Sequence, residues 1–548
     1  MKKHSTGALT KEQIEKQNTL YKEKHEYDYI IIGSGNSALT VGSLLAKAGK
    51  KICMLEAHDI PGGYAHTFKR GEYSFCAQIH YIWGCGPGGK VYEFLKKLNL
   101  EKDITFELYN PDGYDHMIMP DNKRVKIPFG YDKLIENVEK AYPGQKENMK
   151  KFCNILTKIK TELSKFPPNN IKLWEYATLW PSFITLLKYK NKTLQNVYDE
   201  CNLSKEAQAV LCAQAGDFGS PPDELSIFGY VALFGGYNVG AYYPTKHFKY
   251  YIDRLAKFIT DHKGHIYYQT KVSKININND KVTSVETEDG KTFTAKNFIC
   301  NMDPQAASKL IGQEKFPESF KKSLNYKYSP SGIMIYLGLK KGFDPKKYNL
   351  GKHNIWHMTQ WDMNKMWKEE MEGNFEKPWF FISTPTMHSQ YPGTAPKGCH
   401  IVEIETFVNY DIFKEEMDKS YGKYVRIKNK IADRLIDLVE QYHIPDLRKH
   451  IEVKIVGTPT TNEDFVMAPF GNAYGSTMTP EQIGIGRLKS KTPWNNFFWC
   501  NASSGYGGIY GTVNTGMQLY QDLTGDIVFD PKNLPSDEEF IAAIRNTS

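Results

Sequence analysis

Residues 27–56 carry the feature that most constrains the fold of this chain: a strand, a glycine-rich loop, a helix and a second strand that ends in an acid. The run YDYIII at 27–32 is rich in β-branched and aromatic residues and predicts a buried parallel strand. The loop GSGNSA at 33–38 follows at once, and a helical pattern leads to a second apolar strand that ends at Glu56. This order predicts a βαβ unit that binds the pyrophosphate of a dinucleotide.

Each part of this loop has a physical role in dinucleotide binding. Gly33 permits the tight turn, Gly35 lets the backbone approach the pyrophosphate, and the small Ala38 lets helix and strand pack closely. The helix N-terminus supplies amide donors and the positive end of its dipole to the phosphates. Glu56 follows Gly35 by about 20 residues, where a carboxylate accepts the ribose hydroxyls. The predicted contacts of this unit are Gly33, Ser34, Gly35, Asn36, Ser37, Ala38, Glu56 and Ala57.

Composition restricts the class of protein. Of the 548 residues, 41% are hydrophobic and 24% are charged, as in ordinary globular proteins and unlike disordered or repetitive chains. The net charge of +8 is small and dispersed, so no nucleic-acid partner is predicted. The nine cysteines form no C-x-x-C pair, which favours reduced thiols in a cytoplasmic protein. His353 and His357 are spaced for one face of a helix but have no evident third ligand, so no metal site is predicted.

Two segments bear on targeting and membranes. Residues 1–26 are polar and lack the apolar core of a signal peptide, so they predict an N-terminal extension. Residues 173–187 combine tryptophan, leucine and phenylalanine with a following lysine cluster, but Glu175 and Pro181 argue against a membrane span. Two interpretations stay open: a buried part of a substrate domain, or a helix in a membrane interface that attaches the protein peripherally to the inner face of a membrane.

A second glycine pair follows the acid. Residues 59–67 read DIPGGYAHT, and this pair resembles the second dinucleotide contact of the glutathione-reductase-type FAD fold, which plain NAD domains lack. Residues 33–63 as a whole resemble the opening of the FAD-dependent family of phytoene desaturases, carotenoid isomerases and all-trans-retinol 13,14-reductases (retinol saturases). The runs HTF at 66–68 and IHYI at 79–82 are most similar to the retinol saturase branch.

The resemblance continues along most of the chain. It covers the region 264–290, the run FICNMDP at 298–304 and the motif NASSGYGGIYGT at 501–512, which precedes a helix. In this family these regions return to the FAD domain, and the last helix aims its N-terminus at the flavin ring. The resemblance implies further FAD contacts at Gly62, Gly63, Thr67, Val272, Asn301, Asp303, Asn501, Ala502, Gly508, Ile509 and Thr512.

Three residues are candidates for a direct part in the reaction. His80 and Tyr81 lie where members of this family approach the flavin. Either they donate a proton or orient the substrate, or they are core residues that cap backbone groups. Tyr506, between glycines, either lines the same cavity or closes it as a loop aromatic.

The expected fold is an α/β protein: a glutathione-reductase-type FAD-binding Rossmann fold with an inserted α+β substrate domain. Because segments that resemble the flavin domain occur at the start, middle and end of the chain, we expect that domain from 27–110, 240–305 and 466–548. The substrate or cap domain is then expected from 111–239 and 306–465.

The resemblance implies an FAD-dependent oxidoreductase that acts as a desaturase, saturase or isomerase on a hydrophobic polyene: a carotenoid, a retinoid or a polyunsaturated acyl chain. One alternative is a flavin amine-oxidase-like enzyme with a polar substrate. Another is a catalytically degraded flavin- or lipid-binding protein, because the chain departs from the family pattern at Cys76, Gln78 and Cys500. No strand precedes the Gly-Ile-Gly run at 484–486, so the electron partner, NAD(P)H or a quinone, has no binding signature of its own.

Overall fold

A computed structural model of the chain describes residues 9–21, 25–165, 180–389, 391–530 and 535–547. Within these ranges no helix is both long enough and apolar enough to cross a membrane. All nine cysteines are free thiols, and all but Cys399 are buried. Of the segment 173–187, residues 173–179 lie outside the described ranges, and the rest forms a 3-10 turn, Trp180–Phe183, and the start of a short helix.

The described residues form twenty β-strands. They are β1 (Tyr27–Ile32), β2 (Ile52–Leu55), β3 (Thr67–Arg70), β4 (Tyr73–Cys76), β5 (Ile82–Trp83), β6 (Phe106–Leu108), β7 (Asp115–Ile118), β8 (Arg124–Ile127), β9 (Ala241–Pro244), β10 (His265–Tyr267), β11 (Val272–Asn278), β12 (Lys281–Thr287), β13 (Thr292–Phe293), β14 (Ala295–Cys300), β15 (Ser331–Leu339), β16 (Asn354–His357), β17 (Phe380–Ser383), β18 (His400–Val408), β19 (Ile451–Gly457) and β20 (Phe497–Trp499).

The α-helices follow the same chain order. They are α1 (Lys11–Leu20), α2 (Asn36–Lys47), α3 (Lys90–Lys97), α4 (Tyr131–Ala141), α5 (Lys146–Ser164), α6 (Ile184–Tyr189), α7 (Leu194–Glu200), α8 (Lys205–Cys212), α9 (Ala215–Phe218), α10 (Ile227–Tyr237), α11 (His247–Asp261), α12 (Pro304–Ile311), α13 (Glu318–Leu324), α14 (Met363–Met371), α15 (Tyr410–Lys419), α16 (Tyr421–Tyr442), α17 (Leu447–His450), α18 (Pro459–Val466), α19 (Gly508–Thr524) and α20 (Asp537–Thr547).

The first sheet is parallel, with the strand order β10-β2-β1-β14-β20. The predicted strand at 27–32 is confirmed as β1, and its run of isoleucines is buried because parallel sheets are covered on both faces. The helix α2 begins at Asn36, inside the predicted loop 33–38, since Gly35 takes the extended N-cap conformation. The amides of residues 36–38 are therefore the free N-terminal amides of α2.

The N-termini of α2 and α19 lie together beside this sheet. Gly516 in α19 approaches α2 so closely that an added Cβ would lie 2.7 Å from the carbonyl oxygen of Ser37. At the N-terminal ends, the Nδ2 of Asn36 donates to Thr512 Oγ1 at 2.8 Å. Two helix N-termini, each with free amides, are thus brought to the same edge of the sheet.

A second sheet has seven strands in the order β19-β15-β18-β17-β16-β7-β8. Its pairs are antiparallel except β16 with β7. The apolar runs at 331–339 and 400–408 form β15 and β18. The long helix α16 packs on the sheet with Ile431 and Leu435 in a common core. Glu403 and Glu405 lie two residues apart in β18, so their side chains leave the same face.

Candidate active site

The carboxyl ends of β1, β2, β14 and β20 meet at one edge of the parallel sheet, and a cavity of about 730 Å³ lies along it. Ligands of open α/β sheets bind outside this edge. The cavity is lined by residues from 33–37, 55–58, 62–66, 270–273, 301–303, 463–469, 472–475, 501–503 and 507–509 and by Thr512, among others. We call it the dinucleotide cavity.

Asn301, directly after β14, sets the shape of the glycine loop. Its Oδ1 accepts the amide of Gly35 at 2.9 Å, and its Nδ2 donates to Ser37 Oγ at 2.8 Å and to the carbonyl of Cys500 at 2.5 Å. An added Cβ at Gly35 would lie 2.5 Å from that Oδ1, so the loop accommodates only glycine there. Gly33, with φ of +96°, takes a conformation that other residues rarely adopt.

Glu56 is held at the rim of the same cavity by the loop itself. One carboxylate oxygen accepts the amide of Ser34 at 2.7 Å and its hydroxyl at 2.5 Å, and the other accepts the amide of His58 at 2.7 Å. A carboxylate offers about four acceptor positions, so it retains capacity for a further hydroxyl. The side chain is therefore oriented for the ribose contact that its position after β2 predicts.

Replacing Glu56 with glutamine is expected to weaken dinucleotide binding about 10-fold, because a charged acceptor is exchanged for a neutral one. Equilibrium dialysis with FAD checks this. Glu288→Gln is the matched control: Glu288 lines the same cavity, but it is 58% exposed and paired with Lys271, so we expect a change of less than about 2-fold. Equal losses in the two variants would contradict the assignment of Glu56.

The other predicted cofactor contacts lie in or near the dinucleotide cavity. All of them except Ala38 and Thr67 line the dinucleotide cavity. Ala38 is fully buried within α2, where a small side chain permits close packing of helix and strand. Thr67 begins β3, outside the cavity lining, and its hydroxyl is buried with no hydrogen-bond partner in the described part of the chain. A direct contact from either residue stays a prediction.

A second cavity, of about 840 Å³, adjoins the first. Its wall includes residues of α5, α10 and α19, and most of the exposed lining is apolar. The two cavities share Gln78, Ile79, Tyr474 and the residues 507–509. A ligand in the second cavity can therefore approach the end of a dinucleotide held in the first. We call this the substrate cavity.

His80 is buried at the wall of the substrate cavity between two carboxylates of β18. Its Nδ1 lies 3.1 Å from Glu403 Oε2, and its Nε2 lies 3.1 Å from Glu405 Oε2. Burial alone would lower the pKa of His80, but the two carboxylates that bracket it raise that pKa to about 10. The side chain is therefore an imidazolium at neutral pH, with both nitrogens engaged in ion pairs.

Tyr81 contacts two aspartates. Its hydroxyl donates to Asp217 Oδ2 at 2.5 Å and lies 3.0 Å from Asp115 Oδ2. Gln214 and Asn354 donate to the two oxygens of Asp115, at 2.6 and 3.0 Å. The phenol ring stacks on Tyr237 with a centroid distance of 4.2 Å. The sequence predicted His80 and Tyr81 together, and the structure places both on the substrate cavity but in separate polar networks.

Tyr506 also lines the substrate cavity and lies beside a buried arginine. The guanidinium of Arg487 is 5.0 Å from the Tyr506 ring centroid, and it donates to the carbonyls of Ser476, Thr477, Ala502 and Gly505. Burial lowers the pKa of Arg487 to about 10, which leaves it charged at neutral pH. A positive charge is thus fixed beneath the loop that precedes α19.

Sequence reasoning missed the acids of this site, namely Asp115, Asp217, Glu403 and Glu405. One signal was present: HIVEIETFV at 400–408 is an apolar strand that carries two acids on one face. Burying a carboxylate costs free energy unless it is paired, so such a pattern indicates a cationic or hydrogen-bonding partner elsewhere in the chain. The partner itself could not be found from the local sequence, because His80 lies 323 residues before Glu403.

The two histidines that were considered for a metal are not on a helix. His357 ends β16, and its Nδ1 lies 2.9 Å from Nε2 of His443. His353 precedes that strand and stacks on His116 with a centroid distance of 3.7 Å. The expectation of a shared helix face is wrong, because this stretch pairs as a strand with β7 and β17.

A family model and two solved structures are similar to this chain in fold. A family model described as an NAD(P)-binding Rossmann-like domain matches residues 31–98. The structure of putrescine oxidase bound to putrescine is similar over 92% of this chain and 100% of that chain, with a TM-score of 0.62 at 12% identity. An oxidoreductase from Methanosarcina mazei is similar over 90% and 99%, with a TM-score of 0.57 at 15% identity. The predicted α/β Rossmann fold is therefore confirmed, and the chain shares its overall fold with putrescine oxidase.

Relatives in sequence cover most of the chain. The all-trans-retinol 13,14-reductase of Danio rerio is 25% identical over 513 residues, which cover 86% of this chain and 82% of that protein. Prolycopene isomerase 2 of an Oncidium hybrid cultivar is 25% identical over 529 residues, which cover 93% and 86%. The chain is thus a distant homologue of all-trans-retinol 13,14-reductases and prolycopene isomerases, and the resemblance drawn from its motifs is confirmed.

Proposed function

We propose that the chain is an FAD-dependent enzyme that desaturates, saturates or isomerises a hydrophobic polyene. The observation that carries the proposal is the shared wall of the two cavities, which puts a dinucleotide and an apolar ligand within reach of each other. Homologues named for retinol and for prolycopene, both conjugated polyenes, support the substrate class. A carotenoid, a retinoid and an acyl chain remain the candidates within it.

The residues of the dinucleotide cavity fit FAD. The free amides at the N-terminus of α2 lie beside the glycine loop, and Glu56 is held at the ribose position. Two buried polar atoms that line the cavity, Asn36 Oδ1 and His58 Nε2, have no hydrogen-bond partner in the described part of the chain. Such atoms are costly unless a ligand or water satisfies them.

We assign roles to the protein groups by their place in this cavity. The loop 33–37 binds the pyrophosphate, Val272 contacts the adenine, and Asn501 and Asp303 hold the loops at the flavin end. The N-terminus of α19 and the charge of Arg487 lie at the same end and favour negative charge on a bound ring. When bound, FAD supplies the group that exchanges hydride or electrons with the substrate.

The amine-oxidase alternative has less support. Putrescine oxidase shares only 12% identity with the chain, which is evidence for the fold alone. The retinol and prolycopene enzymes are about twice as similar in sequence over most of the chain. A membrane surface as the source of the substrate stays a prediction. Ile184, at the start of α6, is 65% exposed, as an interfacial anchor requires.

The proposal is tested with the full chain loaded with FAD. All-trans-retinol and prolycopene are supplied separately, with the flavin either oxidised or reduced by dithionite, and products are separated by chromatography and identified by mass. A product two hydrogens heavier indicates saturation, one two hydrogens lighter indicates desaturation, and one of unchanged mass with altered retention indicates isomerisation. Recovery of both polyenes unchanged, with putrescine oxidised instead, would favour the alternative.

A further inference from the structure

One carboxyl group in the wall of the substrate cavity, that of Asp217, has no role in the function proposed above. Asp217 lies in the short helix α9 and lines the cavity. The carbonyl of the preceding residue, Gly216, accepts the hydroxyl of Tyr474 at 3.0 Å, and Tyr474 belongs to the wall that both cavities share. Asp217 is therefore close to the place where a substrate meets the dinucleotide.

The hydrogen bonds of Asp217 leave one oxygen available to a ligand. Tyr81 donates to Oδ2 at 2.5 Å, and in the described part of the chain no protein group binds Oδ1. Tyr81 has a single proton to donate, so its longer contact with Asp115, at 3.0 Å, is the weaker one. Asp115 has hydrogen-bond donors without that proton, because the side-chain amides of Gln214 and Asn354 donate to its two oxygens.

The surroundings favour a neutral Asp217. Burial is the main cause that raises its pKa well above the usual range, and the carboxylates of Asp115 and Glu405 act in the same direction. Together they outweigh the hydrogen bond from Tyr81 and the charge of His80, which lower that pKa. Burial also raises the pKa of Asp115, but hydrogen bonds from Gln214, Asn354 and Tyr81 lower it, so Asp115 is the more readily ionised of the two. Of the two aspartates, Asp217 therefore holds the proton.

We propose that Asp217 is the catalytic acid of the site, which gives the proton on Oδ1 to a carbon of the bound polyene. Tyr81 is a positioning residue, because its hydroxyl stabilises the carboxylate that remains on Asp217. Asp115 is a second positioning residue, because its charge keeps the proton on Asp217. The proposal rests on the proposed function for the identity of the substrate and deepens it by naming the proton donor.

Asp217 acts as an acid in two of the three candidate reactions and as a base in the third. In saturation, the π bond would break and one carbon would take the Asp217 proton, while the hydride and electron pair that the other carbon needs are what reduced FAD would supply when bound. In isomerisation, the same proton adds to one carbon, the bond beside it rotates as a single bond, and a proton returns to Asp217 with no net redox change. In desaturation Asp217 would start ionised and accept the proton.

The test compares Asp217→Asn with wild type, both loaded with FAD and reduced by dithionite in D₂O. Asparagine is close in shape to a protonated aspartate but cannot give up a proton. With all-trans-retinol or prolycopene, wild type is expected to form product that carries solvent deuterium on carbon. The readout is the rate of this incorporation, because the hydrogen that reduced flavin transfers also exchanges with D₂O. Asp217→Asn should form it at least about 100-fold more slowly, with unchanged FAD content. An unchanged rate and unchanged deuterium content in Asp217→Asn would overturn the proposal.

Glu370→Gln is the matched control. Glu370 is a second buried carboxyl group whose pKa is raised well above its usual range by burial, and it is bonded to the amide of Trp379 outside the substrate cavity. Its replacement should leave the rate and the deuterium incorporation within about 2-fold of wild type. An equal loss in Glu370→Gln would show that any buried acid matters, and would overturn the specific role of Asp217.

An infrared measurement separates this proposal from the proposed function. Resting wild-type protein at pH 7 should show the carbonyl band of protonated carboxyl groups, and Asp217→Asn should remove a part of it that Glu370→Gln does not. If wild type converts neither polyene, the proposed function fails, yet this band still decides whether Asp217 holds the proton. A difference spectrum without that band would overturn the assignment whatever the substrate is.

Discussion

Replacing Gly35 with valine is expected to abolish retention of the dinucleotide through purification. The added Cβ would lie 2.5 Å from Oδ1 of Asn301, the atom that accepts the Gly35 amide. Relief requires the loop to move away from the sheet, which displaces the amides that face the pyrophosphate. Overpacking of this kind costs about 1–3 kcal/mol, and we expect FAD to bind about 100-fold more weakly.

The matched control for this prediction is Gly422→Val. Gly422 lies in the first turn of α16, and an added Cβ there meets only Ser420 Oγ, at 4.0 Å. Both variants should keep a cooperative thermal transition, and only Gly35→Val should lose the flavin, measured as the ratio of flavin to protein absorbance. A Gly35→Val protein with a full complement of flavin would contradict the cofactor assignment.

Replacing His80 with glutamine is expected to lower the free energy of unfolding by about 3–5 kcal/mol near neutral pH, because two carboxylates would lose their buried partner. His80 has a pKa of about 10 in the folded protein, above the usual value of about 6.5 for histidine. A pKa raised by folding contributes its full stabilisation below pH 6.5, and that contribution disappears as the pH rises through 10. The difference in the free energy of unfolding between His80→Gln and wild type should therefore shrink as the pH rises from 6.5 to 10.

Denaturant unfolding at pH 6, 8 and 10 measures this effect. The control is His262→Gln at the exposed end of α11, which should change the free energy of unfolding by less than about 0.5 kcal/mol. A second check uses Glu403→Gln: in that background the His80→Gln substitution should cost less, since one of the unpaired charges is already gone. A pH-independent loss would mean that packing, rather than charge, explains the effect of His80.

The dinucleotide-binding unit could be predicted from sequence because its determinants are local. The turn at Gly33, the close approach at Gly35 and the acid after β2 all lie within 27–56, and the strand at 27–32 formed where its residue types indicated. A glycine-rich loop binds a pyrophosphate chiefly through its backbone, so the pattern of small residues carries the information. The beginning of α2 was harder to recognise, since its first turn, residues 36–38, carries two polar side chains and an alanine rather than large apolar residues.

The substrate side of the site could not be predicted in the same way. His80 was a candidate, but the carboxylates that determine its charge come from β18, on the second sheet. Asp217 is a single acid in a run of small and apolar residues, and its role depends on Tyr81 and Asp115, which lie far away in the sequence. Side chains brought together by tertiary packing leave no spacing pattern for sequence analysis to detect.

The visible absorption spectrum of the freshly purified protein, followed by solvent extraction and mass analysis, tests the central claim most directly. We expect flavin absorption bands, FAD in the extract and a co-purifying polyene or other hydrophobic lipid from the apolar cavity. A colourless protein that takes up no FAD on reconstitution would contradict it.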